Sequence, residues 1–319
     1  MDFLKQVSIE IYPEGASDEE RVNYRKKYDA QMQALLDAIR RQRQEREFSK
    51  QRNGQGKLWI VDNGTRAQEL LEQGCPVLAW LHEDNRNQDF SGVRYACENI
   101  SELDFDYLEK VYCRYVDIPW EILTTKRCLV RETCVEDLDA LYVIYADPSV
   151  TKYTEGLYPE RAKEEAYLKD YTENMYYFYN YGVWTICDRA TGQVIGRAGF
   201  SNREGYEDPE LGFVIGVPWQ RQGYATEVCK ALLEYGKEEL GFEQVQMLVM
   251  PENEVSLRLA GNLGFHRQVV GILLAVFAVF GISLDMSGIV NFGNIGGVVL
   301  MIIMILSLLK FSIWRKKKA

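Results

Sequence analysis

Between Glu210 and Thr226 the chain places a carboxylate, an apolar run and a glycine turn in direct succession. The run 211–217 after Glu210 is closed by Pro218, as expected of a short buried strand. Gln220, Arg221, Gln222 and Gly223 then form a turn, and Val228, Ala231, Leu232 and Tyr235 follow at helical spacing. A helix start of this kind presents unpaired N–H groups, here those of Tyr224, Ala225 and Thr226. The helix dipole adds about half a positive charge there, and Gly223 has no Cβ to hold an anion off. The chemistry this implies is phosphate binding. Glu210 is a carboxylate at the strand start, and by itself it reads as a surface residue after Pro209.

These residues need elements to position them. An alternating strand at 127–132 opens the region, and helices follow at 135–146 and from Pro159. A tyrosine-rich stretch holds Tyr171, Tyr176, Tyr177, Tyr179 and Tyr181. The segments 184–187 and 194–200 flank a turn at 188–192 and read as a hairpin. After the strand at 211–217 and the helix at 224–240 come a strand at 244–249 and a short helix at 252–260.

The pattern Gln220-x-x-Gly223-x-Ala225 resembles the acetyl-CoA signature of the GNAT superfamily of N-acetyltransferases. So do the hairpin glycines Gly192 and Gly196, Asn253-x-x-Ser256, and Leu263-Gly264-Phe265. Within the superfamily the chain looks closest to the ribosomal-protein-alanine acetyltransferase type. The resemblance covers 127–265 and implies direct attack of an amine on the thioester of acetyl-CoA, with no metal. It assigns the pyrophosphate to the turn 220–226 and the pantetheine arm to the strand 213–215 and to Asn253. Backbone N–H groups near Phe213, Val214 and Ile215 would polarise the thioester carbonyl, and Arg221 would meet a CoA phosphate. The resemblance also sets the thioester beside Glu210, which, partly shielded from water there, would act as the base directly or through a water. Many relatives carry an acid Tyr where this chain has Ala260, leaving Ser256 or water to protonate the thiolate. The acceptor is then a primary amine, on a protein N-terminus or a small molecule. A catalytically weak, membrane-tethered acetyl-CoA-binding module is the alternative.

Composition sets limits on the whole. A net charge of −10 argues against a general nucleic-acid binder. Seven cysteines with two histidines and no C-x-x-C pair read as thiols in a reducing compartment. The sequence divides into an amphipathic helix and linker at 1–56, a small α/β module at 57–120, the acetyltransferase-like domain at 126–268, and a tail at 269–319. Asp62, at a strand end in the α/β module, reads as a turn former. In the tail, 269–309 carries Asp285 as its single charge, and Arg315, Lys316, Lys317 and Lys318 close the chain. Apolar runs of this length predict a membrane hairpin over 269–314, both ends cytoplasmic. The fold expected is thus α/β: a mixed central sheet flanked by helices, preceded by the small module and followed by the hairpin.

Overall fold

The computed structural model describes residues 4–11, 17–47, 56–268 and 312–317. The chain forms two units, Met1–Trp120 and Glu121–Ala319.

The first unit is a parallel sheet in the order β1-β2-β3-β4, built from β1 (Leu4–Glu10), β2 (Gly56–Val61), β3 (Val77–Trp80) and β4 (Tyr95–Cys97). Helix α1 (Asp18–Glu47) connects β1 to β2. Ser17 starts it: its Oγ accepts from Glu20 N–H, and Glu20 reaches back to the Ser17 amide at 2.9 Å. Helices α2 (Gly64–Glu72) and α3 (Phe105–Tyr115) complete the unit. The sequence division at 56 is corrected by this sheet. Leu4–Glu10 pairs in parallel with β2, so the N-terminal helix is the crossover of a parallel sheet rather than a separate piece. Residues 4–11 form too short an alternating stretch to be recognised as a strand before its partner is known.

Asp62 follows β2 directly and is fully buried. Its Oδ2 lies 3.2 Å from His82 Nε2, and His82 Nδ1 lies 3.0 Å from the Tyr28 hydroxyl on α1. A turn-forming role understates this residue, which anchors a buried polar network.

The second unit is an eight-stranded mixed sheet, ordered β11-β12-β10-β9-β8-β7-β6-β5. Its strands are β5 (Glu121–Thr124), β6 (Cys128–Arg131), β7 (Val183–Asp188), β8 (Val194–Ser201), β9 (Glu210–Ile215), β10 (Gln244–Val249), β11 (His266–Gln268) and β12 (Ser312–Lys317). Its helices are α4 (Leu138–Tyr145), α5 (Pro148–Thr151), α6 (Arg161–Tyr171), α7 (Tyr224–Glu238) and α8 (Glu254–Asn262). A π-helical turn, Thr172–Tyr177, extends α6. One face of the sheet packs Leu211, Ile215, Val245, Met247 and Val249 against Val228, Cys229 and Leu232 of α7 in a single core. Cys229 is fully buried there.

The membrane hairpin expected at 269–314 lies outside the described residues except for its last three, and those are corrected. Ser312, Ile313 and Trp314 belong to β12, which pairs antiparallel with β10 along Gln244–Val249 and with β11. The basic residues Arg315, Lys316 and Lys317 are strand residues too. The outer edge of β10 needs backbone partners, and β12 supplies them. Among the described residues no helix is long and apolar enough to cross a membrane.

Candidate functional site

The site begins where two parallel strands part. β9 and β10 share one paired position, Gln246↔Glu210, after which β10 follows β12 instead. Peptide groups along a strand face alternate edges. Pro209 C=O accepts from Gln246 N–H at 2.9 Å, while Gly216 N–H donates across the other edge to Ile195 C=O. Residues 211, 213 and 215 therefore turn their peptide groups toward the opening, and 210, 212 and 214 toward β8. The Ile215 carbonyl is taken by Gln220 Nε2 at 2.8 Å, which leaves the Phe213 peptide group facing the gap. This narrows the expected carbonyl-polarising donors. The Val214 amide is committed to β8, where Val214 is paired with Arg197.

The turn beyond β9 is built to leave amides free. Arg221 adopts φ 60° and Gly223 φ 83°; the left-handed region suits glycine and strains arginine. Gly223 is the helix N-cap and has no side chain to satisfy the amides that follow. Among the described residues, no backbone N–H from Arg221 to Thr226 has a partner, and the first bonded amide is Glu227 to Gly223 C=O at 3.0 Å. Gln222 braces the turn through Nε2 to Pro218 C=O at 2.7 Å. A concave run of free amides on a helix start is an anion site.

Two residues outside the sequence pattern hold this turn. Arg127 donates from Nη1 to Gln222 C=O at 3.0 Å and pairs through Nε with Glu227 at 2.7 Å. Its guanidinium lies 4.1 Å from the centre of the Tyr224 ring. Glu227 also accepts from Thr125 Oγ1 and the Arg127 amide. Burial raises its pKa, but these donors outweigh that and hold it below the usual carboxylate range. Arg127 lies about a hundred residues from the turn in sequence, so it could not be linked to the turn by spacing, and Glu227, next to the turn, gives no sign of its partner.

Glu210 is nearly buried at the vertex of the two strands and pairs with Arg203 at 2.5 Å. The expected shielded carboxylate therefore comes with a guanidinium partner, half exposed on the loop before β9. Next to it, Gln246 is fully buried. Its Nε2 donates to Asp208 C=O, and its Oε1 has no partner. Gly212 lies two residues along on the Glu210 face, with nothing within 4 Å of where a Cβ would stand.

Asn253 and Ser256 sit at the start of α8. Asn253 Oδ1 caps the helix by accepting from Ser256 N–H at 3.2 Å, leaving its amide nitrogen and the Ser256 hydroxyl without partners among the described residues. Ala260 is fully buried in the core, so position 260 offers no proton-donating side chain. The tyrosine stretch divides in two. Tyr176 donates to Val183 C=O and Tyr171 accepts from Val183 N–H, which makes both structural, while Tyr179 is exposed. Among the described residues no cluster of side chains could hold a metal ion.

Residues 127–266 match the family model of the acetyltransferase (GNAT) domain. The chain is 31% identical over 147 residues to the uncharacterized N-acetyltransferase YnaD of Bacillus subtilis, spanning 46% of this chain and 83% of that protein. It is 30% identical over 151 residues to the uncharacterized N-acetyltransferase YoaA of the same organism, spanning 47% and 85%. Among solved structures, an acetyltransferase from Agrobacterium tumefaciens aligns with a TM-score of 0.45 at 18% identity, over 61% of this chain and 94% of that one.

Proposed function

The chain belongs to the GNAT family of acetyltransferases, and from that premise we propose that its second unit moves an acetyl group from acetyl-CoA to a primary amine by direct attack. The observation that carries this reading is the parting of β9 from β10 beside a turn whose amides are free from Arg221 to Thr226. Acetyl-CoA, as co-substrate, supplies the thioester. The turn amides would hold its pyrophosphate, with Arg221 and Arg127 beside it. The Phe213 peptide group would engage the pantetheine arm or the thioester carbonyl, and the free amide nitrogen of Asn253 would reach the same arm. Glu210 would accept the proton released as the new C–N bond forms. The departing thiolate would take its proton from Ser256 or water, since Ala260 offers none.

The acceptor class is an amine of a protein N-terminus or of a small molecule. Residues 269–309, with one charge, would anchor the chain in a membrane and keep the catalytic unit on the cytoplasmic side. β11 and β12 would place both ends of such an anchor together.

Two variants separate binding from turnover. Gly223→Val should abolish acetyl-CoA binding in calorimetry, through both the filled cradle and the φ of 83°. Glu210→Gln should keep binding and lower amine acetylation by roughly 10²–10⁴-fold. Undiminished acetylation by Glu210→Gln across pH would remove Glu210 from the mechanism; undiminished affinity of Gly223→Val would move the co-substrate site elsewhere.

A further inference from the structure

A row of side chains crosses the second unit's sheet on the face opposite α7. The register sets Arg131 of β6 against Thr185 of β7, Thr185 against Arg197 of β8, and Arg197 against Val214 of β9. The row thus contains two arginines with different surroundings. Arg131 meets Asp137 through two bonds, 2.7 and 2.6 Å, and Asp137 accepts further from Thr185 Oγ1 and the Cys134 amide. Arg197 makes no ion pair among the described residues. Its Nη2 gives a long 3.4 Å bond to Val183 C=O and its guanidinium also meets the Tyr145 hydroxyl, while its Nε is shut from solvent without a partner.

The surroundings of Arg197 are aromatic: Tyr145, Tyr176, Tyr171 and Tyr167. Hydroxyls soften the burial of a cation without neutralising it. Tyr171 and Tyr176 have already spent their hydroxyls on Val183. Tyr167, at the edge of this group, is 45% exposed. An unmatched buried donor is a place for a ligand's charge.

The position fits the acetyl-transfer reading, and a role for Arg197 in acceptor binding depends on that reading. Val214, opposite Arg197, shares its face with Gly212 and Glu210, and the space over Gly212 is open. Glu155 and Glu210 both lie by Arg203, so the Glu210 end of this track sets two carboxylates against one guanidinium, a balance suited to an amine. The other end carries the lone guanidinium. Among the described residues no second unpaired cation or helix start is seen beside it, since Arg131 is matched by Asp137. Arg197 therefore suits a singly charged, planar carboxylate better than a phosphate dianion. We propose that Arg197 is a specificity-determining residue that holds the carboxylate of a zwitterionic acceptor, whose amine reaches past Gly212 toward Glu210.

The test compares ω-amino acids, glycine through 6-aminohexanoate, each with its own amide, by steady-state acetylation. The wild-type protein should favour the acid in kcat/KM by about tenfold or more at one chain length at least, as expected where a site is built for a polar group. Arg197→Met should bring that ratio to about one with acetyl-CoA affinity retained in calorimetry. Arg197→Lys, which keeps the charge but loses the fork, should lower the ratio part-way. It decides the matter if the Met variant loses acetyl-CoA binding. Equal rates for acids and amides in the wild type, or a preference undiminished in the variants, overturn the proposal. Turnover without discrimination removes only this role of Arg197; no acetylation of any amine overturns the acetyl-transfer reading itself.

Discussion

Two sets of polar groups, one in each unit, are finished differently. In the first unit, Asp62, His82, Tyr28, Asp84 and Lys27 are joined end to end: His82 bridges Asp62 and Tyr28, Tyr28 donates to Asp84 at 2.6 Å, and Lys27 pairs with Asp84 at 2.5 Å. Asn85 closes the remaining gaps through Asp62 C=O and Trp80 C=O. A histidine and a buried aspartate at the ends of parallel strands, with a tyrosine from α1, suggest catalysis by type alone. Their hydrogen bonds are spent on one another, however, and the result ties α1 to β2 and β3. In the second unit, Arg197 Nε, Gln246 Oε1 and the amides from Arg221 to Thr226 are left open. Unspent hydrogen-bonding capacity, rather than residue type, is what marks the proposed site.

The sharpest way to break this contrast lies within the second unit. Arg131→Met should cost about 3–5 kcal/mol in urea unfolding, because it strands Asp137 as a buried charge. Burial raises the pKa of Asp137, but Arg131, with the Cys134 amide and the Thr185 hydroxyl, more than offsets it, so the wild-type carboxyl stays below its usual range. The stability this lends is present above the unfolded-state pKa near 4 and is lost as pH falls through the folded value. The deficit of Arg131→Met should therefore shrink in acid. In the first unit, His82→Ala should cost about 1–3 kcal/mol by leaving Asp62 and Tyr28 short of a partner. Acetylation should survive it in the folded fraction; loss of turnover by a folded His82→Ala protein would bring that cluster into the chemistry. Arg197→Met should change stability by about 1 kcal/mol or less, or raise it, since no carboxylate is orphaned. Equal destabilisation by Arg131→Met and Arg197→Met would end the distinction between a finished and an open arginine.

Much of the second unit was legible because its signals are local. The apolar run before Pro218, the glycine at 223 and the helical spacing of Val228, Leu232 and Tyr235 lie within one stretch, and they became β9, the turn and α7. Glu210 was legible as a strand opener. Its Arg203 partner was not, because a loop residue's reach depends on how the chain folds back. Arg197 was hidden for a stronger reason. Its row is assembled by the register of four strands, and nothing in the segment 194–200 shows that Asp137 answers Arg131 and leaves Arg197 unanswered. β1 escaped because seven residues carry little periodicity without a neighbour. At β12, the apolar character that suggests a membrane run on to Ile313, and only pairing with β10 separates the strand from the residues before it.

The pairing of β11 with β12 has a consequence for how the chain can be cut and rejoined. His266↔Arg315 and Gln268↔Ile313 hold the two ends of 269–311 about one strand spacing, ~4.8 Å, apart. To the sheet, everything between them is a detour, and a tight turn of a few residues would bridge the same gap. Closure entropy grows only slowly with loop length, so the sheet gains little or loses little whatever occupies the detour. The seam between Gln268 and Ser312 is therefore a graft point: the catalytic unit could be shortened there to a plain hairpin, or given a different appendage, without altering a strand order on which β9 and its turn depend.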